Sequence, residues 1–314
     1  MLPSFDILVA GEINPDLILS GNVTPAFGQV EKLVDSAILT VGSSSAIFAC
    51  GAANLGLKVA FVGICGADMF GRFMLGELSH HNVDVSGVII DPLVSTGLSV
   101  ILNRPQNGAP GDRAILTCPG AINRLRAEQL TDDRLKTARH LHVASYFLQT
   151  GLQPGLPDLF QRAHALGLST SLDTNWDPSG EWHNFDELLH QVDVFLPNDK
   201  EALAISSLST IEEAARALAK KCSVVAVKQG GRGALACCGD VLVRAQALPV
   251  QVVDTVGAGD TFDAGFLYGF LNGWSLEKNL SMAAACGSLS TRRAGGTSAQ
   301  PTLVEAMQYV SSLG

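Results

Sequence analysis

Short β-branched runs alternate along the chain with segments whose apolar residues recur at helical spacing. The runs at 7–11, 59–65, 141–147, 169–173, 192–196 and 224–228 predict strands. Residues 45–55, 71–81, 156–166, 185–190 and 211–220 predict helices between them, and three more follow at 258–271, 276–292 and 303–313. Near-continuous apolar strands separated by helices imply an α/β protein whose parallel sheet is covered on both faces. In such sheets ligands bind beyond the carboxyl ends of the strands, so candidate chemistry is sought just after each strand.

Two regions break this rhythm. Residues 12–41 and 87–118 contain β-like runs at 17–21, 37–41, 97–103 and 113–118, with a turn-rich linker at 104–112. They read either as a lid over the strand ends or as a decorative edge hairpin. No internal repeat or low-complexity tract is present.

Composition narrows the function classes. The 314 residues carry 21 Lys and Arg against 30 Asp and Glu, a formal charge of −9. That balance argues against nucleic-acid partners, which require clustered cations. No segment offers about eighteen uninterrupted apolar residues, so no membrane partner is expected. The first strand follows almost at once on Met1, without a cleavable apolar leader, which predicts a cytoplasmic protein. Seven cysteines without a C-x-x-C read as reduced, buried thiols. His80–His81 and His140-x-His142 lack the spacing of a zinc site.

The sharpest motif is Asp254-Thr-Val-Gly-Ala-Gly-Asp-Thr-Phe-Asp-Ala-Gly-Phe266, an extended run leading through Gly257, Ala258 and Gly259 into an apolar helix. Small residues at a helix start let free N–H groups approach an anion, and the helix dipole adds attraction. Asp260, in the first turn, is placed to accept a hydroxyl proton beside that anion. An Asp-rich helix start with a tight glycine turn is the plainer reading of the same residues.

This motif resembles the C-terminal signature of the ribokinase-like, or PfkB, family of carbohydrate kinases. Gly42-Ser-Ser-Ser-Ala-Ile-Phe-Ala-Cys-Gly-Ala-Ala-Asn-Leu-Gly56, running on into 62–71, resembles the N-terminal signature. The resemblance implies a three-layer α/β/α sandwich with a mainly parallel central sheet and a small β lid. It also implies one kinase domain over residues 1–314, with lid segments at 12–41 and 87–118, that transfers the γ-phosphoryl group of ATP to a small carbohydrate. Asp260 would be the base, and Gly257, Ala258 and Gly259 the anion hole. A helix N-terminus should keep Asp260 ionised and hence a weak base, so that proton transfer follows much of the bond breaking.

Further positions follow from the resemblance. Asn198-Asp-Lys-Glu201 matches an Asn-x-x-Glu element that holds Mg2+ mostly through water; a helix cap with a capping-box Glu is its structural counterpart. Lys228-Gln-Gly-Gly-Arg-Gly233 resembles the glycine loop beside the nucleotide, making Lys228, Gly230 and Gly233 cofactor-binding candidates. Lys228, where members often carry Thr, pairs with phosphate or reaches solvent. Residues 283–287 and Gly295–Gly296 fall where the family packs adenine and closes the loop. Asp254, with Val256 and the 292–298 loop, lies in the region of the K+ site of some members, or simply caps a turn. Asn14 and Asp16, in Gly11-Glu-Ile-Asn-Pro-Asp16, resemble the sugar contact, and an Asx turn is the alternative. Gly42 and Ser43 are expected to wall the acceptor pocket.

The departures bear on the acceptor. Ser43 and Ile47 stand where the family usually has a second Gly and an Asn, and Asp177 stands for the Arg of an Asp-Pro-Asn-x-Arg stretch beginning at Asp173. Losing a fork-shaped cation weakens the case for an acidic sugar or sugar phosphate, so a neutral sugar or polyol fits better. Ser145, Tyr146 and Gln149 read as packing more than as pocket residues. A nucleoside kinase and a non-catalytic sugar or nucleotide sensor remain alternatives. A dinucleotide oxidoreductase is disfavoured, because G-x-G-x-x-G does not follow the first strand. A homodimer through the lid is also open.

Overall fold

Ile7 and Val9 leave the first strand on one side and Leu8 and Ala10 on the other, and all four are wholly buried. A strand of this kind has helices over both faces. The structure is a computed structural model and describes residues 3–104, 113–182 and 186–310. Its elements begin β1 (Phe5–Ala10), β2 (Pro15–Ser20), β3 (Ser36–Val41), α1 (Ser44–Asn54), β4 (Val59–Val62), β5 (Ile64–Gly66), α2 (Met69–His80), β6 (Ile89–Asp91), β7 (Leu98–Asn103) and β8 (Arg113–Cys118). They continue α3 (Asp132–Leu135), β9 (Ala138–Val143), α4 (Leu156–Ala165), β10 (Ser169–Leu172), α5 (Asp186–Leu189), β11 (Val194–Phe195), α6 (Asp199–Ser206) and α7 (Ile211–Leu218). The chain closes with β12 (Val224–Lys228), β13 (Ala234–Cys238), β14 (Val241–Ala245), α8 (Ala258–Leu271), α9 (Leu276–Ser290) and α10 (Leu303–Val310).

The main sheet has eight strands in the order β14-β13-β12-β11-β10-β9-β1-β4. From β12 to β4 the pairing is parallel, and β13 and β14 add an antiparallel edge. One core packs α3 to α7 on one face; the other packs α1, α2, α8, α9 and α10 on the opposite face. This is a three-layer α/β/α sandwich. The ends of β1, β9, β10, β11 and β12 lie along one margin and deliver Glu12, Ser145, Asp173, Asn198 and Lys228 there.

Several boundaries move. The predicted strand at 59–65 is cut at Gly63, where a Cβ would stand 2.6 Å from the Gly11 carbonyl, and β5 leaves the main sheet to pair with β6. The strand expected at 141–147 begins at Ala138 and ends at Val143, because Ser145 turns the chain with φ 52°. The β13–β14 hairpin and α6 are additions to the predicted elements. The ends of the helices expected at 185–190 and 303–313, and most of the 104–112 linker, lie outside the described residues.

A second, four-stranded sheet has the order β3-β2-β7-β8. Its strands come from the two irregular regions, whereas Ile89–Asp91 of the second region pairs with β5 instead. Asp16, Ser99 and Thr117 stand side by side across β2, β7 and β8.

The seven cysteines are free thiols. Cys118 and Cys238 are exposed, which corrects the expectation that all are buried. His140 and His142 are core residues: burial pushes both down to about 3, and they bond to Ser169 and Ser171 as neutral rings.

Candidate active site at the strand ends

Gly257 opens the site. It caps α8 with φ 72°, a left-handed conformation that favours glycine. A Cβ there would lie 2.8 Å from both Gly296 and the Ile47 side chain, so backbone conformation and space both require glycine. Beyond it the first-turn N–H groups of a 14-residue helix face the strand ends. Ala258 N makes only a 3.3 Å contact to Thr255 O. Asp260 is buried in that first turn.

The charge state of Asp260 differs from the sequence expectation. Burial first, and then the Asp173 carboxylate and Glu12, push its carboxyl up to about 8, against the pull of Lys228 and a hydrogen bond from Ser44. The helix N-terminus does not keep this group ionised, because desolvation and two acidic neighbours oppose it. The expected always-ionised carboxylate is therefore corrected to a carboxyl that ionises near neutral pH.

Lys228 is corrected as well. It neither reaches solvent nor stands free for a phosphate: Nζ lies 2.9 Å from Asp173 Oδ2 and 3.0 Å from Asp263 Oδ2. Burial opposes its charge, but Asp173, Asp263 and Glu201 outweigh that and hold it above the ordinary lysine range. Burial likewise works against ionising Asp173, yet Lys228 and hydrogen bonds hold its carboxyl low. Asp263 is driven high by burial, with Asp173 and Asp260 adding to the effect against Lys228. Asp173, Asp260 and Asp263 bring ligand oxygens within 4.8 Å of one another, and the lysine occupies the place of their counter-ion. Its Nζ sits 3.6 Å from where a Gly259 Cβ would be, directly under the helix start.

Neither Asp173 nor Asp263 was a sequence candidate. The signal was present, since Asp260-x-x-Asp263 puts two carboxylates on one helix face. A buried lysine at a strand end also demands acidic partners.

Asn198 and Lys228 meet through a parallel bridge at the ends of β11 and β12. Asn198 caps α6, its side chain accepting from Glu201 N, while Glu201 accepts from Asn198 N at 2.8 Å. The capping box is thus formed, and Glu201 is still buried in the site. Burial and Asp173 push its carboxyl up to about 7, against Lys228. Gly230 and Gly233 both have positive φ, and a Cβ on Gly233 would meet Ala245 O at 2.0 Å. Asp254 accepts from Val256 N and Gly295 N, each at 3.0 Å, which ties the turn before α8 to the 295 loop.

On the acceptor side, Gly42 clears space for Asp16: a Cβ there would lie 2.2 Å from Asp16 Oδ1. Burial pushes the Asp16 carboxyl up to about 7, with Arg113 of β8 pulling the other way. Asn14 Nδ2 reaches Ser99 Oγ at 3.4 Å. Ser43 spends its hydroxyl within the fold, donating to Glu12 O at 2.7 Å and accepting from Ala46 N as the α1 cap. Ile47 packs beneath Gly257 and Gly296. Asp177 accepts from Ser179, Glu181 and Trp182, so it shapes its own loop.

A buried network joins these parts. Glu12 accepts from Ser45 Oγ at 2.5 Å and from Ser145 Oγ at 2.8 Å, and Asn175 Nδ2 contacts both Ser44 Oγ and Ser145 Oγ. Ser145 therefore belongs to the site, whereas Gln149 bonds to Ala144 O and Tyr146 joins the core. Glu12, Ser44 and Asn175 carried no recognisable spacing signal in the sequence.

The chain matches the model of the pfkB family of carbohydrate kinases over residues 6–303. It is 30% identical to a ribokinase of Arabidopsis thaliana, over 94% of this chain and 78% of that one. It is 28% identical to an ATP-dependent ribose-1-phosphate kinase of Halopiger xanaduensis, over 97% and 98% of the two chains. Its fold superposes on the structure of Arabidopsis thaliana ribokinase complexed with ribose and ATP at a TM-score of 0.83, with 23% identity over 99% of each chain. By the match along nearly its whole length, together with the fold, this chain belongs to the pfkB family of carbohydrate kinases.

Proposed function

We propose that this sugar kinase transfers the γ-phosphoryl group of ATP to a hydroxyl of a small neutral sugar or polyol, with Asp260 as the base. The observation that carries the reading is a buried carboxyl held near neutral pH at the N-terminus of α8. Asp260 takes the proton of the acceptor hydroxyl at a carboxylate oxygen. The acceptor oxygen then forms a bond to the γ-phosphorus as the bond from phosphorus to the ADP oxygen breaks. N–H groups of Gly257, Ala258 and Gly259 hold the charge on the transferring group.

Buried carboxyl groups outnumber buried cations at the strand ends. Asp173, Asp260, Asp263 and Glu201 face Lys228 alone among the described residues, a donor set that suits a hard divalent cation. Glu201 and Asn198 would hold Mg2+ through water, and the ion would neutralise phosphate charge. Gly230 leaves backbone open for the nucleotide, Gly233 lets the same loop pack against Ala245, and Lys228 acts as a fixed charge under the anion hole. K+ beside Asp254 would tune the 295 loop.

The acceptor is read as neutral because Asp177, in place of a guanidinium, is turned into its own loop, and because carboxyl groups crowd the site. Asn14, just before β2, and Asp16, on β2 of the second sheet, would bind its hydroxyls, with Gly42 giving them room. That sheet is proposed as a lid. Its face opposite Asp16 carries Leu39, Leu17, Val100 and Leu116 in register across four strands, with Leu116 61% exposed. A self-complementary apolar face of this kind fits a second copy of the chain, giving a homodimer through the lid.

The test is ADP release from Mg-ATP across neutral sugars, polyols, sugar acids, sugar phosphates and nucleosides, with Asp260→Ala in parallel. One strong neutral acceptor, silent in the variant, is expected. A nucleoside or sugar phosphate as best acceptor would overturn the substrate class. Tight sugar binding without ADP release would identify a sensor.

A further inference from the structure

Gln300 follows the 295 loop and is buried, 9% exposed, between α1 and α8. Its amide nitrogen donates to the Ile47 carbonyl of α1 at 2.8 Å and to Thr261 Oγ1 of α8 at 3.0 Å. Thr261 Oγ1 in turn donates at 2.8 Å to the carbonyl of Gly257, the cap of α8. The single hydroxyl hydrogen is spent there, so the threonine lone pairs face Gln300 and the direction of each bond is fixed.

The packing leaves a notch for this amide. A Cβ on Gly51, one turn along α1 from Ile47, would stand 2.9 Å from Gln300 Nε2 and 3.3 Å from the Ala264 Cβ of α8. The amide oxygen is buried and has no hydrogen-bond partner among the described residues. An unpaired buried carbonyl is unfavourable, so a residue that only filled the notch would be better apolar. The amide is explained by what its nitrogen holds. Ile47 also packs beneath Gly257 and Gly296, but apolar contact has no direction, whereas two hydrogen bonds from one planar group fix a register.

We infer that Gln300 is a positioning residue for phosphoryl transfer: its amide keys α1 to the start of α8 and so sets the distance between the acceptor hydroxyl and the phosphoryl group at the anion hole. The inference rests on the reading of Gly257, Ala258 and Gly259 as that hole and of Gly42 and Ser43, just before α1, as the acceptor wall. Gln300 acts through the two helices, so its loss is felt in the transfer step, where small errors in the placement of reacting atoms slow the reaction steeply. Attack by water on ATP in the absence of acceptor needs the anion hole but not the wall, and is indifferent to that register.

Gln300→Ala should lower kcat with the best acceptor about tenfold and leave KM for acceptor and for ATP within about twofold. The slow release of ADP without acceptor should not change. The variant also opens a cavity, so its Tm should fall. Gly51→Ala adds a methyl group into the same space. The double variant Gln300→Ala/Gly51→Ala should therefore recover Tm while kcat stays low, because the packing returns and the amide does not. Gly51→Ala alone keeps every donor but crowds Nε2, and should lower kcat in the same way. An unchanged kcat in Gln300→Ala overturns the inference, as does a kcat that recovers with Tm in the double variant, or an equal loss of transfer and acceptor-free hydrolysis. If Gln300→Ala fails to fold, the double variant and Gly51→Ala decide the point by the same split of kcat from KM. A wild-type enzyme that releases no ADP with any acceptor would overturn the function on which the inference rests, whereas an active wild type with unaltered variants overturns the inference alone.

Discussion

Beneath the start of α8, Asp173, Asp260, Asp263 and Glu201 are buried around Lys228, while in the four-stranded sheet Leu116, Ile115 and Ile38 stand 61%, 53% and 47% exposed. One region gathers charge out of water; the other keeps apolar surface in it. Buried charge is costly unless paired, so its geometry is tightly determined and its protons sit far from their ordinary values. An apolar sheet face has no such constraint and gains only by being covered. In a kinase these two demands suit the two tasks proposed above: a rigid, electrostatically prepared floor, and a wall offered to the acceptor and to a second copy of the chain.

The sharpest break in the floor is Asp260→Asn. Turnover should fall by about 10²- to 10⁴-fold, the usual worth of a positioned general base. The same change should raise Tm by several degrees at pH 8.5, with the gain shrinking towards pH 5. The sign follows from linkage. Asp260 is harder to ionise folded than unfolded, so it weakens the fold progressively as pH rises from the ordinary carboxyl value of 3.8 up to about 8, and fully above that. A rate loss with no pH-dependent gain in Tm would remove the electrostatic half of the account.

Lys228→Met comes next. It strands Asp173 and Asp263 without their cation and should destabilise the protein by about 3–5 kcal/mol in a denaturant titration. Adding Asp263→Asn should recover part of that loss. Full stability in the single variant would mean that Lys228, despite its 2.9 and 3.0 Å contacts, is not the counter-ion of these carboxylates.

Smaller effects belong to the sheet. Gly42→Ala places a methyl against Asp16 and should raise KM for the acceptor about tenfold with little change in kcat, since the loss is one of ground-state binding. Leu116→Asp should convert the proposed dimer to a monomer by light scattering, with kcat changed less than about twofold. A wild-type monomer at assay concentration would remove the second copy from the proposal.

The contrast also explains what the sequence disclosed. The main sheet was legible because strands such as Val224–Lys228 are apolar throughout and bounded by helices. The α8 start was legible because Gly257 and Asp260 occur at fixed spacing in one short segment. The buried floor was not, since Glu12, Ser145, Asp173 and Lys228 come from four strand ends and meet only through the register of the sheet. The sign of the Asp260 shift was hidden for the same reason: a local motif shows the helix N-terminus but not the carboxylates that face it. In the second sheet the alternation was blurred because both faces are apolar. Ile38, Ile18, Ile101 and Ile115 lie in register on one face, and Leu39, Leu17, Val100 and Leu116 on the other.

The most direct test is the pH dependence of kcat/KM for the wild-type enzyme with its best acceptor at saturating Mg-ATP, beside Asp260→Asn. The account predicts a rate that rises with pH along a limb well above the carboxylate range, towards 8, and that is absent from the residual activity of the variant. A wild-type profile flat from pH 5 to 8 would contradict it, because a base that is already ionised at pH 5 is not the desolvated carboxyl described here.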